Sequence, residues 1–448
     1  MAVGLVLLAG ISGRRVSRVD PSASSSVLLH SAHVTEPPDS SRMLAGSPDD
    51  RTDVAAATLG EGGPVGFSAV LERGPSLSPG PERDDWGLPS LEHFEQTLPL
   101  KLKEGKEALA AWVSKLSWGE LKSETVASYQ RNVAQALSNG SSDSLVGMNI
   151  SVHNWKPLNW AVSDRRLPDT LRISQVVEYY RWNLVVNAED VVTKKEYSLN
   201  IPIIHMEGGP DLEEEDIYQA MGLAAAEEKE SMLQACGNTP GELAASQKGI
   251  KVALYTGEIS GLDRTHLERH LKVYNTVSLM EKVVGDLGCL RYTAREVEQK
   301  ARDYIASRLL QIVIKVELSG VGHLQLDWDS LFLREDGSFF LGNFGSGAPF
   351  AEEISPLRGS VTLQQEPAVM SHYAHSNAFV TEAKVNMWSL GVLLYQLYTG
   401  NEHPYGVVEG LDWAEQAAKR LLEPRRMHRI GGFQILEEFP DLLDNHAD

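Results

Sequence analysis

The sequence predicts an α+β fold of two lobes, with a helical extension ahead of the first lobe. Three observations indicate this arrangement. Residues 149–207 contain no glycine and include β-prone segments. Residues 301–318 carry apolar side chains at helical spacing. Residues 331–341 hold two apolar runs on either side of Glu335-Asp336-Gly337, and an Asp-Gly pair in that position is a strong hairpin signal.

The 448 residues are enough for one two-lobed domain and an extra segment. Residues 1–16 are a candidate signal peptide, because a short apolar run ends in small residues and Arg14-Arg15, although a positive n-region is lacking. Residues 17–95 are rich in Ser, Pro, Gly and Asp. They are predicted to be a disordered linker, since they have too little apolar surface to offset the entropy of ordering.

Residues 96–148 are predicted to form the helical extension. Leu109, Trp112 and Leu116 fall at helical spacing among lysines and glutamates. We expect these helices to dock on the small lobe, which we assign to residues 149–282. Residues 283–448 are assigned to the large lobe.

Each lobe has its own predicted elements. Strands are predicted in the small lobe at 171–177, 181–186 and 197–205, with a hinge near 280–285. In the large lobe, residues 386–395 are predicted to be a buried helix, since Leu390, Leu393, Leu394 and Leu397 share one helical face. We expect Trp388 and Leu393 of this helix to lie in the core.

Composition limits the classes of partner. The formal net charge is −20, from 61 acidic against 41 basic residues, which argues against nucleic acid. After the first dozen residues, no apolar run approaches the length of a membrane span. Cys236 and Cys289 are equally compatible with a disulfide and with two free thiols. Sequons at Asn139 and Asn149 weakly favour the secretory route.

Residues 323–330, His-Leu-Gln-Leu-Asp-Trp-Asp-Ser, are followed by Leu-Gly-Asn-Phe-Gly at 341–345. This order resembles the protein-kinase motifs H-R-D-L-x-x-x-N and D-F-G. His323 is kept, but Gln325 stands at the catalytic base, Ser330 at the metal-binding Asn, and Asn343 at the metal-binding Asp. The later run from Asn386 to Tyr395 resembles the kinase helix D-x-W-S-L-G-x-x-L-Y with its Asp replaced. The resemblance therefore implies a kinase fold without phosphoryl-transfer chemistry.

Two parts of the kinase nucleotide pocket are also absent from the sequence. The glycine-free stretch 149–207 leaves no glycine-rich loop to cover phosphates. Residues 196–228 hold nine acidic residues and no Lys or Arg, so His205 is the only candidate for the strand cation. It is mostly neutral at pH 7, and we interpret it as a strand-end histidine. The acidic cluster 211–216 fits a solvated helix start better than a cation site.

Two aspartates inside the catalytic loop need an interpretation. Asp327 replaces the usual loop lysine, so we expect its charge to repel the γ-phosphate of ATP. We interpret Asp327 and Asp329 as ordinary loop residues, with unconventional metal binding as the alternative.

The stretch from about Leu98 to Phe439 is similar to the secreted rhoptry-type kinases of apicomplexan parasites. Within that family it resembles the clade without a Gly loop and, given its replaced residues, a pseudokinase of that clade. Gln365-Glu366-Pro367 loosely matches the kinase A-P-E region, and Arg429 matches a kinase arginine with altered spacing. The resemblance implies secretion from dense granules or rhoptries to the parasitophorous vacuole or the cyst wall.

The leading hypothesis is a secreted, catalytically inactive pseudokinase that acts by protein–protein binding, as a scaffold or an allosteric partner. Its expected partner is an active secreted kinase or a vacuole or cyst-wall protein, and neither a nucleotide cofactor nor a metal is expected. Two alternatives remain open. The chain is a structural component of a vacuole or cyst-wall matrix, or it is an active kinase with an unconventional nucleotide and metal site.

Overall fold

A computed structural model describes the chain from Leu88 to Glu438 with gaps. The described ranges are 88–116, 124–157, 166–179, 183–205, 230–237, 239, 243–262, 266–268, 271–290, 296–354, 361–400, 420–423, 426–431, 434–435 and 438. The predicted signal peptide and residues 17–87 of the predicted linker lie outside these ranges.

Six helices and thirteen strands have defined bounds in the described part of the chain. The helices are α1 Leu91–Gln96, α2 Leu100–Val113, α3 Glu124–Leu137, α4 Gln299–Leu318, α5 Pro367–His375 and α6 Val385–Thr399. The small-lobe strands are β1 Asn149–Pro157, β2 Thr170–Tyr179, β3 Asn183–Asp190, β4 Glu196–His205, β5 Ala253–Ile259, β6 His266–Glu268, β7 Leu271–Val273 and β8 Thr276–Met280. The large-lobe strands are β9 Gly285–Asp286, β10 Val321–Gly322, β11 Leu331–Leu333, β12 Phe339–Leu341 and β13 Ala348–Pro349.

The strands of the small lobe close into a ring. Neighbours pair in the order β3-β2-β1-β5-β8-β4, and β4 pairs back onto β3, all antiparallel. Inward-facing apolar side chains from every strand of the ring fill its interior, as alternation along a strand requires. Because the ring has its own core, the small lobe is a rigid frame for the cleft below it.

The helical extension docks mainly on the large lobe, so the predicted placement on the small lobe is wrong for α2. Helix α2 lies along α4, with Gly105 at the closest approach. A Cβ on Gly105 would come 2.1 Å from the carbonyl oxygen of Lys300. Gly337, at φ +82° in the turn between β11 and β12, meets the other side of α2. Helix α3 packs on the small lobe, against β6 and β7, and α1 contacts the turn Ala244–Lys248 of that lobe.

A half-buried carboxylate ties α1 to the large lobe. Glu95 accepts hydrogen bonds from the Tyr304 hydroxyl at 2.8 Å and from Arg308, whose side chain is buried. Lys106 bridges Glu95 and Asp336, at 2.7 and 2.8 Å. Burial acts to raise the pKa of Glu95, but these cations lower it overall. The spacing of apolar residues in α2 does not reveal this network. The sequence therefore offered no reason to expect the extension on the large lobe.

Helix α1 also corrects the predicted linker. Residues 88–95 were predicted to be disordered, yet α1 begins at Leu91, and Ser90 Oγ accepts from His93 N at 3.1 Å as its cap. Leu91 and Phe94 are buried in the large-lobe core. Composition alone gives little indication of a helix here, because Leu91 and Phe94 stand in a polar stretch. Their burial depends on core residues far along the chain.

The large lobe confirms the other predicted elements. Helix α4 spans the predicted segment, and the 331–341 hairpin pairs Leu331 with Leu341. Trp388 and Leu393 of α6 are buried, as expected. Cys236 is a buried free thiol, and burial raises its pKa to about 12. No helix among the described residues is long and apolar enough to cross a membrane.

Candidate functional site

The segment that joins the two lobes is already hydrogen-bonded at the point where it faces the cleft. Val283 N donates to Ser198 Oγ at 2.9 Å, and Val283 O accepts from Asn187 Nδ2 at 2.8 Å. Ser198 Oγ in turn donates to Asn187 Oδ1 at 2.6 Å. All three residues are buried. A planar base that entered here would therefore find the N–H of Val283 already donating and its carbonyl already accepting one hydrogen bond.

An apolar cluster closes the cleft beside this hinge. Val177 and Val185 from the small lobe meet Val283, Phe332 and Phe340 in one buried group. Phe332 and Phe340 come from the β11–β12 hairpin, and both rings are at most 2 % exposed. The Lys251 ammonium lies 3.5 Å from the centroid of the Phe332 ring. These side chains therefore pack against one another where the two lobes meet beside Val283.

The middle of β4 presents an asparagine where a kinase strand presents its lysine. Asn200 pairs in register with Val185, whose side chain belongs to the cleft cluster, and cross-strand partners share a face. Asn200 Oδ1 is buried and has no hydrogen-bond partner among the described residues. His205, the candidate cation from the sequence, is the last residue of the strand. Asn200 therefore faces the cleft, and sequence reasoning missed it because it searched only for cations.

The hairpin β2–β3 stands where kinases carry the Gly-rich loop. Strand β2 ends at Tyr179 and β3 begins at Asn183, which leaves residues 180–182 between the two strands. Those three residues, Tyr-Arg-Trp, contain no glycine and lie outside the described ranges. The connection between β2 and β3 therefore lacks the glycines with which a kinase loop approaches the phosphates.

His323 is a structural residue in this site. It is fully buried, its Nε2 donates to the carbonyl of Gly342 at 2.8 Å, and its ring packs edge-on against Phe344 at 4.8 Å. Burial lowers the pKa of His323 to about 4. The imidazole is neutral at pH 7 and links the catalytic loop to the N-F-G segment.

The next loop positions bond to each other. Gln325 Oε1 accepts from Ser346 Oγ at 2.7 Å, and an amide cannot serve as a general base. Asp327 Oδ1 accepts from the backbone N–H and the hydroxyl of Ser330, at 3.0 and 2.8 Å. Asp327 is 7 % exposed and caps the turn Trp328–Ser330. Its carboxylate thus lies against its own loop, and the expected repulsion of a γ-phosphate stays a prediction.

Asn343 adopts a left-handed conformation, at φ +61°, which asparagine tolerates better than most residues. Its side chain is exposed, and its Nδ2 reaches only the carbonyl of Asp329, at 3.4 Å. Within the described ranges, no three His, Cys, Asp or Glu side chains form a group that could hold a metal ion. The acidic cluster 211–216 lies outside them.

Asn386, which stands for the kinase Asp in the α6 motif, donates a hydrogen bond to a carboxylate, Glu317. Its Oδ1 accepts from His323 N at 2.8 Å, so it still holds the catalytic loop. Its Nδ2 donates to Val321 O at 2.7 Å and to Glu317 Oε2 at 3.0 Å. An aspartate at 386 would place a second carboxylate beside buried Glu317. The amide is therefore the residue type that this site requires.

Glu317 gives a pH-dependent stability that can be measured. Burial raises its pKa from 4.5 to about 7, although hydrogen bonds from Lys384 N and Asn386 oppose the shift. The folded state therefore holds the Glu317 proton more tightly than the unfolded state. Its contribution to stability is complete below pH 4.5 and is lost as the pH rises through about 7.

We expect the wild-type protein to lose free energy of unfolding relative to Glu317→Gln as the pH rises from 4.5 to about 7. Glutamine keeps an acceptor oxygen but does not titrate. Denaturant unfolding of both proteins at several pH values would measure the difference. A difference that stays constant from pH 4 to 8 would show that Glu317 does not titrate as assigned.

The segment after N-F-G is fixed to the large lobe. Leu324, at the motif position of the kinase Arg, is buried in an apolar cluster with Ile354, Val369 and Phe379. Gln365 Nε2 donates to Leu324 O at 2.8 Å. Glu366, from the segment that resembles the kinase A-P-E region, forms an ion pair with Arg429, which matches a kinase arginine. Arg429 Nη1 lies 2.7 Å from Glu366 Oε2. Both of these side chains are at most 3 % exposed.

Solved structures of the same architecture decide what this fold is. ROP2 from Toxoplasma gondii superposes with a TM-score of 0.58 at 14% identity, over 75% of this chain and 95% of that chain. The chain has a protein-kinase fold. The ROP18 kinase domain in complex with AMP-PNP and sucrose gives a TM-score of 0.57 at 16% identity, over 77% of this chain and 94% of that chain. A rhoptry kinase from the same organism gives 0.54 at 12% identity.

These neighbours include both a protein without enzymatic activity and a kinase domain in complex with a nucleotide analogue. ROP2 is described as a virulence factor with a protein-kinase fold and no enzymatic activity, whereas the ROP18 domain was solved with a nucleotide analogue. No protein-family model and no curated protein matches the chain. At these identities the likeness establishes the kinase fold, and the chemistry depends on the site residues.

Proposed function

We propose that this protein is a secreted pseudokinase that acts by binding other proteins and does not transfer phosphate. The observation that carries the proposal is the occupied hinge. Both main-chain groups of Val283 are bonded within the protein, and orientation of a ligand in a pocket depends on a few such polar groups. The buried rings of Phe332 and Phe340 lie in one apolar cluster with Val283, which supports the same conclusion.

The catalytic loop supports the same conclusion independently. Phosphoryl transfer needs a carboxylate to orient the hydroxyl and oxygen ligands to hold Mg²⁺. Gln325 and Asn343 supply neutral amides, and Ser330 is bonded within the loop. Asn200 supplies no positive charge from β4. Repair of one position would leave the others unchanged.

The finer assignment belongs to the same proposal. We place the protein with the rhoptry-type secreted kinases, in the clade without a Gly loop, near its bradyzoite pseudokinase. The motifs of residues 323–345 support this, as do the Toxoplasma neighbours that share the fold. Release from dense granules or rhoptries to the parasitophorous vacuole or cyst wall follows from that placement. The partner is an active secreted kinase or a protein of the vacuole or cyst wall.

We expect calorimetry with Mg-ATP to detect no binding site, and we expect no transfer of γ-phosphate to a substrate. The double substitution Gln325→Asp and Asn343→Asp should remain inactive, since it restores neither the glycine-rich loop nor the strand lysine and leaves the Val283 hydrogen bonds unchanged. An active kinase domain assayed beside it serves as the positive control.

Two results would contradict the proposal. One is a dissociation constant in the low micromolar range that a substitution at Asn343 abolishes. The other is phosphate transfer that survives removal of contaminating kinases. Either would favour the active kinase with an unconventional site. Proximity labelling in the parasite would separate a defined partner from diffuse incorporation into a matrix.

A further inference from the structure

The end of helix α3 carries a sequon in an exposed position. Residues 139–141 read Asn-Gly-Ser, and all three are exposed. Asn139 has φ +55° and Gly140 has φ +80°. A Cβ built on Gly140 meets no atom within 4 Å, so the space around this turn is open.

The backbone of this turn forms a complete helix cap. Gly140 N donates to Gln135 O at 2.6 Å, and Asn139 N donates to Ala136 O at 3.4 Å. This is the paired bonding of a Schellman motif, in which the first residue past the helix is left-handed. The cap uses only main-chain groups of Asn139. Its side-chain amide is exposed to solvent in a turn that folding has fixed.

The second sequon, Asn149-Ile150-Ser151, lies in a different setting. It forms the start of β1, where Asn149 pairs with Arg172 and Ser151 with Thr170. Ile150 between them is 2 % exposed and belongs to the core of the strand ring. An enzyme that reads an extended acceptor must reach this sequon before the strand pairs. The sequon at Asn139 stays accessible after the ring has closed.

We propose that Asn139 is an N-glycosylation site. The proposal rests on the passage through the secretory route that the proposed function includes. In the reaction, Nδ2 of Asn139 forms a bond to the anomeric carbon of an oligosaccharide carried on a polyprenyl diphosphate. The bond from that carbon to the diphosphate oxygen breaks, the polyprenyl diphosphate leaves, and the amide nitrogen loses one proton. A glycan here would cover the face of the small lobe beside the end of α3.

A rival interpretation is that Asn139 is present only because asparagine tolerates the left-handed cap position. Matched variants separate the two. Asn139→Gly keeps the cap, since glycine is the preferred residue there, but removes the acceptor. Ser141→Ala keeps Asn139 and its cap and removes the sequon. Ser141→Thr keeps the sequon, because threonine serves as well as serine.

The test uses the full chain behind a strong heterologous signal peptide in a eukaryotic secretory host. Entry to the secretory route is then supplied and does not depend on this protein's own leader. The readouts are the mobility shift on treatment with peptide N-glycosidase and mass spectrometry of the peptide that contains Asn139. We expect one glycan in the wild type and in Ser141→Thr, and none at residue 139 in Asn139→Gly or Ser141→Ala.

A glycan at Asn149 alone, or at neither sequon, would overturn the proposal. These outcomes are independent of kinase activity, so they leave the inactive-kinase proposal to its own test. Thermal unfolding of Asn139→Gly provides the folding check. A normal melting temperature together with loss of the glycan would show that the residue has a role beyond the cap.

Discussion

Replacement of Trp388 with alanine is expected to lower the free energy of unfolding by about 3–5 kcal/mol. The Trp388 ring is 2 % exposed near the start of α6, and the guanidinium of Arg429 lies 5.1 Å from its centroid. Removal of the ring would leave a cavity between α6 and the segment around Arg429. Chemical denaturation followed by circular dichroism would measure the loss, and low secretion of the variant would accompany it.

Met427→Ala is the matched control for this measurement. Met427 is 81 % exposed and lies two residues from Arg429, so its truncation removes little buried surface. We expect a change within about 0.5 kcal/mol. If Trp388→Ala proved as stable as Met427→Ala, helix α6 would be misplaced in the core.

The second large effect is expected at the buried ion pair of Glu366 and Arg429. Replacement of Arg429 with methionine would leave Glu366 as a buried carboxylate that keeps only its contact with Arg426. Loss of one partner costs about 3–5 kcal/mol when the remaining buried charge is left uncompensated, and we expect the lower end of this range because Arg426 still compensates part of the Glu366 charge. Denaturant unfolding at pH 7 would measure the effect.

The surface pair of Arg420 and Glu438 provides the control. These side chains also form an ion pair, but they are 48% and 38% exposed. Arg420→Met should therefore cost less than about 1 kcal/mol. The double substitution Glu366→Leu and Arg429→Met should recover part of the loss, since it removes both charges. Equal effects of Arg429→Met and Arg420→Met would contradict the structural role assigned to the buried pair.

Local sequence signals were sufficient for the elements of the large lobe. Apolar spacing located α4 and α6, and Asp336-Gly337 located the hairpin, because these elements depend on periodicity and turn chemistry within a few residues. The order of His323, Gln325 and Asn343 along the chain was enough to suggest the kinase fold. The replaced residues could also be identified from the sequence, since each stands at a fixed number of residues from a motif residue that is unchanged.

Other features depended on residues far apart in the chain. The contact of α2 with α4 involves Gly105 and Lys300, and no local pattern joins them. The closure of the small-lobe strands into a ring depends on β1 finding β5, about a hundred residues later. Cross-strand partners are set by packing and register, which a single sequence does not reveal.

The sequence by itself determined which side chains stand at the positions of the kinase motifs, because side-chain identity alone fixes whether a carboxylate or an amide is present there. Only the tertiary structure decided which hydrogen bonds form around them. It placed Ser198 and Asn187 on the main chain of Val283, and it set the amide of Asn386 against the buried carboxylate of Glu317. These pairs form because a buried polar group must find a partner, and the fold determines which residue is near enough to be that partner.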